Sequence, residues 1–257
     1  MLASVLSLAL AGISAVASAI PALDVAANND RLVFCHFMVS PPLSLPPYPN
    51  KPKLTDRKNT QIGITSNRHS ASDYDDDMKR AKALGIDAFA LNIGVDPYTD
   101  AQLNLAYESA ANNDMKVFIS FDFNWYHTGQ AAAVGEKVKQ YASRPAQLKV
   151  DGKVFVSSFA GDGIDVAQIK ASAGQDIFFA PNFHPGQGDF GAIDGALNWM
   201  AWDNDGNNKA PTPGHNVTVA EGDKAYNDAL NGKPYIARET SFFSFPLEYH
   251  QAEKNKD

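Results

Sequence analysis

The sequence predicts an α/β fold, a (β/α)8 TIM-type barrel in which seven of the eight strands are legible and the chain stops before the last. Three observations predict it. Apolar strand-like segments alternate evenly with helix-like ones, the strands read as runs buried on both faces, and polar, reactive side chains gather where the strands end. A chain of 257 residues with 44% hydrophobic content can bury the core of one such barrel.

The elements follow in order. Residues 31–38 read as the first strand, with Cys35 and His36 near its C-terminal end. A helix follows a capping pattern begun by Ser72 with Asp75. The run Asp75-Asp76-Asp77 suits a helix N-terminus, Lys79, Arg80 and Lys82 suit the C-terminal half, and Tyr74, Met78, Ala81 and Leu84 recur at helical spacing up to Gly85. Residues 86–93 form the second strand, closing on Asn92, Gly94 and Asp96. Thr99 and Gln102 make a second capping box, Leu103, Tyr107 and Ala110 one apolar stripe, and residues 116–121 a third strand ending at Asp122. Residues 131–142 read as a helix. Residues 147–150 and 153–159 form a hairpin about Asp151-Gly152 whose second arm is a barrel strand. A helix at 165–173, strands at 176–181 and 193–199, a helix at 219–231 and a strand at 234–237 complete the series.

Composition narrows the function. A net charge of -7 and a pI near 5.3 disfavour nucleic acid as a partner but are compatible with a neutral polymer. Residues 2–17 form an uncharged apolar run, and Ala17-Ser18-Ala19 follows as a small-residue pattern resembling a secretory signal cleaved after Ala19. No later segment is apolar enough to cross a bilayer, so the expectation is an exported protein with no membrane association after signal cleavage. The single cysteine, Cys35, cannot form an internal disulfide, and Asn216-Val217-Thr218 is a glycosylation sequon.

Several motifs of medium length agree with one family. The run Asp87-Ala88-Phe89-Ala90-Leu91-Asn92-Ile93-Gly94, with Ile119-Ser120-Phe121-Asp122, Gly152-Lys153-Val154-Phe155-Val156-Ser157 and Phe159-Ala160-Gly161, resembles glycoside hydrolase family 71. These are the fungal endo-α-1,3-glucanases, or mutanases. The likeness extends to His36-Phe37-Met38, to Asp194-Gly195-Ala196 with Asn198-Trp199, and to Lys233-Pro234-Tyr235-Ile236-Ala237. It implies a secreted (β/α)8 barrel that hydrolyses α-1,3-glucan with inversion and without a metal or other cofactor. In the family a Gly-containing loop follows His-Phe-Met almost directly, which here would join Met38 to Ile62-Gly63-Ile64. Residues 39–61 therefore read as translated intron sequence, the Val-Ser opening fitting a GT donor and the Gln ending an AG acceptor. The other reading is a Pro-rich loop. The expected division is a signal at 1–19, a hydrolase barrel at 20–237 and a divergent tail at 238–257. The family's principal acid pair, an Asp-x-x-Glu motif on the last strand, has no counterpart in this sequence. A noncatalytic glucan-binding protein is thus the alternative to an enzyme.

Inverting hydrolysis needs one carboxyl to protonate the leaving oxygen and one carboxylate to activate water, about 6.5–9.5 Å apart. Asp96 and Asp122 lead as catalytic candidates. Both follow strands, and Asp96 stands at the position resembling a functionally important family aspartate. Asp162, Asp203 and Asp205 also follow strands, whereas Asp100, Asp165 and Asp176 read as caps and turns. Trp125, Tyr126, Trp199 and Trp202 offer ring faces to a sugar, Trp199 reading as the more core-like and Trp202, beside Asp203, as the platform. His36, Asn92, Asp203 and His184 complete the substrate-binding set. No histidine pair has metal-ligand spacing, and Asp203-Asn204-Asp205-Gly206 lacks the Glu an EF-hand requires.

Overall fold

The computed structural model describes residues 24–25, 32–38, 68–200, 202–206 and 209–237. The expected signal at 1–19, the segment 39–61 and the tail 238–257 lie outside the described residues. Strands β1 (Asp24–Val25) and β2 (Phe34–Met38) precede helix α1 (Asp75–Ala83). Then come β3 (Ala88–Ile93), α2 (Thr99–Asn112), β4 (Lys116–Asp122), α3 (Ala131–Tyr141), β5 (Lys149–Val150) and β6 (Lys153–Phe159). The series ends with α4 (Val166–Ala173), β7 (Ile177–Asn182), β8 (Ala196–Asn198), α5 (Val219–Leu230) and β9 (Tyr235–Ala237).

Strands β2, β3, β4, β6 and β7 lie side by side, all parallel and in chain order. Each helix returns the chain to the same end of the sheet, so all five C-termini share one rim. The short β5 turns back antiparallel onto β6 through Asp151 and Gly152, whose φ angles of 50° and 73° are those of a primed two-residue turn. Strands β8 and β9 form a separate parallel pair. It is tied to β7 where the Asp194 N–H donates to the Phe179 carbonyl and the Asn182 amide to the Leu197 carbonyl, both at 2.9 Å. The architecture is thus mixed α/β with a parallel sheet, and no ladder joins β9 to β2 among the described residues.

Alternation along the strands divides the core. Val117, Ile119 and Phe121 of β4 face the helices together with Leu91, Val156 and Phe179. Phe118, Phe155 and Phe178 face the other way, joined by Ala88, Ala90 and Ala180. Phe34 of β2 and Ile236 of β9 pack on that same inner cluster. Each buried ring there contributes about 2 kcal/mol of apolar transfer free energy.

The predicted elements are present, with different helix starts in two places. The first cap is Ser70 with Asp73, opening a 3-10 turn at Ala71–Tyr74, and not Ser72 with Asp75. Asp75 instead accepts from Ser109 Oγ and Asn113 Nδ2 of α2 at 2.7 and 2.8 Å. The Thr99–Gln102 box is not formed either. Thr99 lies inside α2 and donates to the Gly94 carbonyl, while Gln102 is bound to the Tyr74 hydroxyl and the Arg68 carbonyl.

Candidate active site

Parallel register brings three inward residues of adjacent strands into one hydrogen-bonded line. Asn92 Nδ2 of β3 donates to Asp122 Oδ2 of β4 at 3.3 Å. With its NH2 group committed there, Asn92 Oδ1 is left to accept from His36 Nε2 of β2 at 3.4 Å. The second carboxylate oxygen of Asp122 accepts the Asn124 N–H at 2.9 Å, as the chain turns off the end of β4. Asp122 is 8% exposed and Asn92 buried, so the line sits at the floor of the rim. Trp199, just past β8, closes over it, its ring edge-on to His36 at 5.0 Å and to Phe159 of β6 at 5.1 Å.

A second group stands beside the first. A Cβ on Gly94 would lie 3.2 Å from both Asp96 Oδ2 and Trp125 Cγ, so the missing side chain is what lets carboxylate and indole close over the end of β3. Trp125 is 62% exposed, whereas its neighbour Tyr126 is 7% exposed and packs on Phe121 and Phe123. The structure therefore places Trp125 on the rim and Tyr126 in the core. Burial first, and then the charges of Asp100 and Asp96, push the Tyr126 phenol up to about 12. Burial first, and then hydrogen bonding to the adjacent Asp96 carboxylate and its charge, do the same to Tyr98.

The remaining candidates divide further. His184, past β7, is held by Asp162, past β6, through both its ring and its backbone. Asp203 is exposed and accepts the Val219 N–H at the start of α5, where Thr218 and Glu221 form a capping box. Trp202 is half-buried, its carbonyl bound by Asn204 Nδ2. The rest of that loop is likewise self-bound, Asn204 accepting from the Gly206 N–H and Asp205 from the Lys209 N–H. No group of three metal-ligating side chains occurs among the described residues.

Sequence reasoning did not assign Asp162 its partner and passed over Ser120. The Ser120 hydroxyl is buried on the inner face of β4 without a hydrogen-bond partner among the described residues. Alternation offered the signal, since Phe118, Ser120 and Asp122 share one face.

A row of carboxylate, amide and imidazole at the C-terminal ends of parallel strands, with indoles beside it, stands where α/β enzymes hold their chemistry. The match to known families is specific. Residues 29–255 match the model of glycosyl hydrolase family 71, and the chain belongs to that family. The matched span includes residues 39–61 and passes residue 237, where the motifs read directly from the sequence stop. A mutanase of Penicillium rubens is 36% identical over 232 residues, covering 87% of this chain and 46% of the relative. The glucan endo-1,3-alpha-glucosidase agn1 of Schizosaccharomyces pombe is 33% identical over 242 residues, covering 86% and 49%. The ascus wall endo-1,3-alpha-glucanase of the same yeast is 28% identical over 160 residues, covering 55% and 37%. The chain spans about half the length of the curated relatives it matches.

Proposed function

We propose that this chain forms the cleft of an exported endo-α-1,3-glucanase, an inverting hydrolase on a (β/α)8 barrel. The observation that carries the proposal is the line from His36 through Asn92 to Asp122 under the Trp199 ring, at the strand ends where a barrel enzyme holds its chemistry. The inner cluster shared by Phe34 and Ile236 supports the barrel. In this reading residues 1–19 are the export signal, residues 20–237 the barrel and residues 238–257 a divergent tail.

Asp122, with both oxygens accepting hydrogen bonds, has the surroundings of a base that takes a proton from water. Asp96, half-buried beside Trp125, is the second carboxylate, placed to protonate the leaving oxygen. Trp125 and Trp202 give pyranose faces apolar contact while sugar hydroxyls meet His36, Asn92 and His184. A noncatalytic glucan-binding role is the second reading, favoured by the exposed Trp125 ring on the rim. Incubation of the purified chain with insoluble α-1,3-glucan separates the two. Release of reducing sugar that falls about 10²–10⁴-fold in Asp122→Asn supports the enzyme. Pull-down without release supports binding alone, and the absence of both release and pull-down overturns both readings.

A further inference from the structure

Asp162 commits both carboxylate oxygens to one residue. Oδ1 accepts the backbone N–H of His184 and Oδ2 meets its Nδ1, each at 2.7 Å, so strand-end loop and imidazole are clamped together. The loop that delivers the carboxylate is itself unusual. Ala160 has φ +54° and Gly161 φ +104°, and a Cβ on Gly161 would lie 2.6 Å from the Phe123 ring. A side-chain-bearing residue in the left-handed region is strained by about 1 kcal/mol or more, and such strain gathers where geometry serves a site. Here it turns the chain off β6 so that Asp162 reaches across to the end of β7.

We propose that Asp162 is a positioning residue that holds His184 as the Nδ1–H tautomer, making Nε2 a hydrogen-bond acceptor for a hydroxyl of a neutral oligosaccharide. An imidazole that donates from Nδ1 carries its lone pair on Nε2, on the opposite side of the ring. The His184 side chain is 32% exposed, so that side of the pair is open to a ligand, while the Asp162 side chain is 18% exposed. Free imidazole exchanges between tautomers, and the clamp removes that freedom before ligand arrives. The ligand assigned to His184 rests on the glucan reading above; the tautomer does not.

Long-range nitrogen–proton NMR of the imidazoles in the full chain tests the clamp near neutral pH. The expected pattern for His184 is protonated Nδ1 and bare Nε2, lost in Asp162→Ala. Titration with a short α-1,3-linked gluco-oligosaccharide tests the ligand. Both His184→Ala and Asp162→Ala are expected to weaken binding about tenfold, the scale of one hydrogen bond, and the double variant no more than either alone. His184→Gln, whose amide oxygen reaches the Nε2 position, is expected to recover most of the affinity. A purely structural pair would lower the melting temperature and leave Kd unchanged, which overturns the proposal. A bare Nδ1 in the free wild-type chain overturns the clamp whatever the chain binds, and a doubly protonated ring overturns the acceptor assigned to Nε2. Failure of the wild type to bind any oligosaccharide instead overturns the glucan reading, and with it the ligand of His184, even where the tautomer is as expected.

Discussion

Asn92 sets how the strand-end groups share protons. Its NH2 group faces an acceptor-only carboxylate, so its oxygen is free for the imidazole N–H, and a carboxamide is the side chain that meets both demands at once. Ser120, one strand over in register with Asn92, makes the contrast, since its buried hydroxyl has no partner among the described residues. A buried hydroxyl without a partner forfeits about 1–3 kcal/mol of solvation. Ser120→Ala is therefore expected to keep or raise stability, by about 1 kcal/mol, in urea unfolding; a loss of that size would contradict this accounting. At this scale the sequence was legible where alternation decides. Asn92 and Asp122 were legible as the polar residues that close two apolar runs, and alternation in β3 and β4 puts them on one face. Trp125 and Tyr126 were not, because past a strand end neither period applies and one ring goes to solvent while its neighbour goes to the core.

At the scale of elements, the α3–α4 contact depends on one residue. Gly135 lies mid-helix in α3, where glycine ordinarily costs about 1 kcal/mol relative to alanine. Here a Cβ would sit 2.5 Å from the Ile169 carbonyl and 2.6 Å from Ser172 Cβ, both backbone or near-backbone atoms of α4 that cannot move alone. Gly135→Ala is accordingly expected to destabilise by about 1–3 kcal/mol, reversing the usual sign. A raised urea midpoint would show that the helices separate freely. The same scale explains the displaced caps. Ser70–Asp73 and Ser72–Asp75 are equivalent as local patterns, so spacing alone does not choose between them. Contacts from outside the helix choose: Ser109 and Asn113 take the Asp75 carboxylate, while Arg68 binds Asp77 at 2.9 Å.

For the molecule as a whole, the tyrosines buried in the helix-side core set its response to base. Tyr126 is raised to about 12 by burial and then by the Asp100 and Asp96 charges, against an ordinary value of about 10. A folded-state value above the unfolded one gives stability that is complete below pH about 10 and is lost as pH rises toward about 12. Tyrosinate absorbance from the buried tyrosines is thus expected to rise only toward pH about 12, together with loss of the circular-dichroism signal. A single rise near pH 10 with the fold intact would contradict it. By itself, the sequence determined the order of helices and strands and membership of the family, because period, turn chemistry and motif are local properties. Only the tertiary structure decided that His36, Asn92 and Asp122 join in one line, that Trp199 closes over them, that Asp162 clamps His184, and that Asp203 serves a helix start. Those pairings span residues far apart in the chain, and they depend on strand register and on how the strand-end loops pack, which no local pattern encodes.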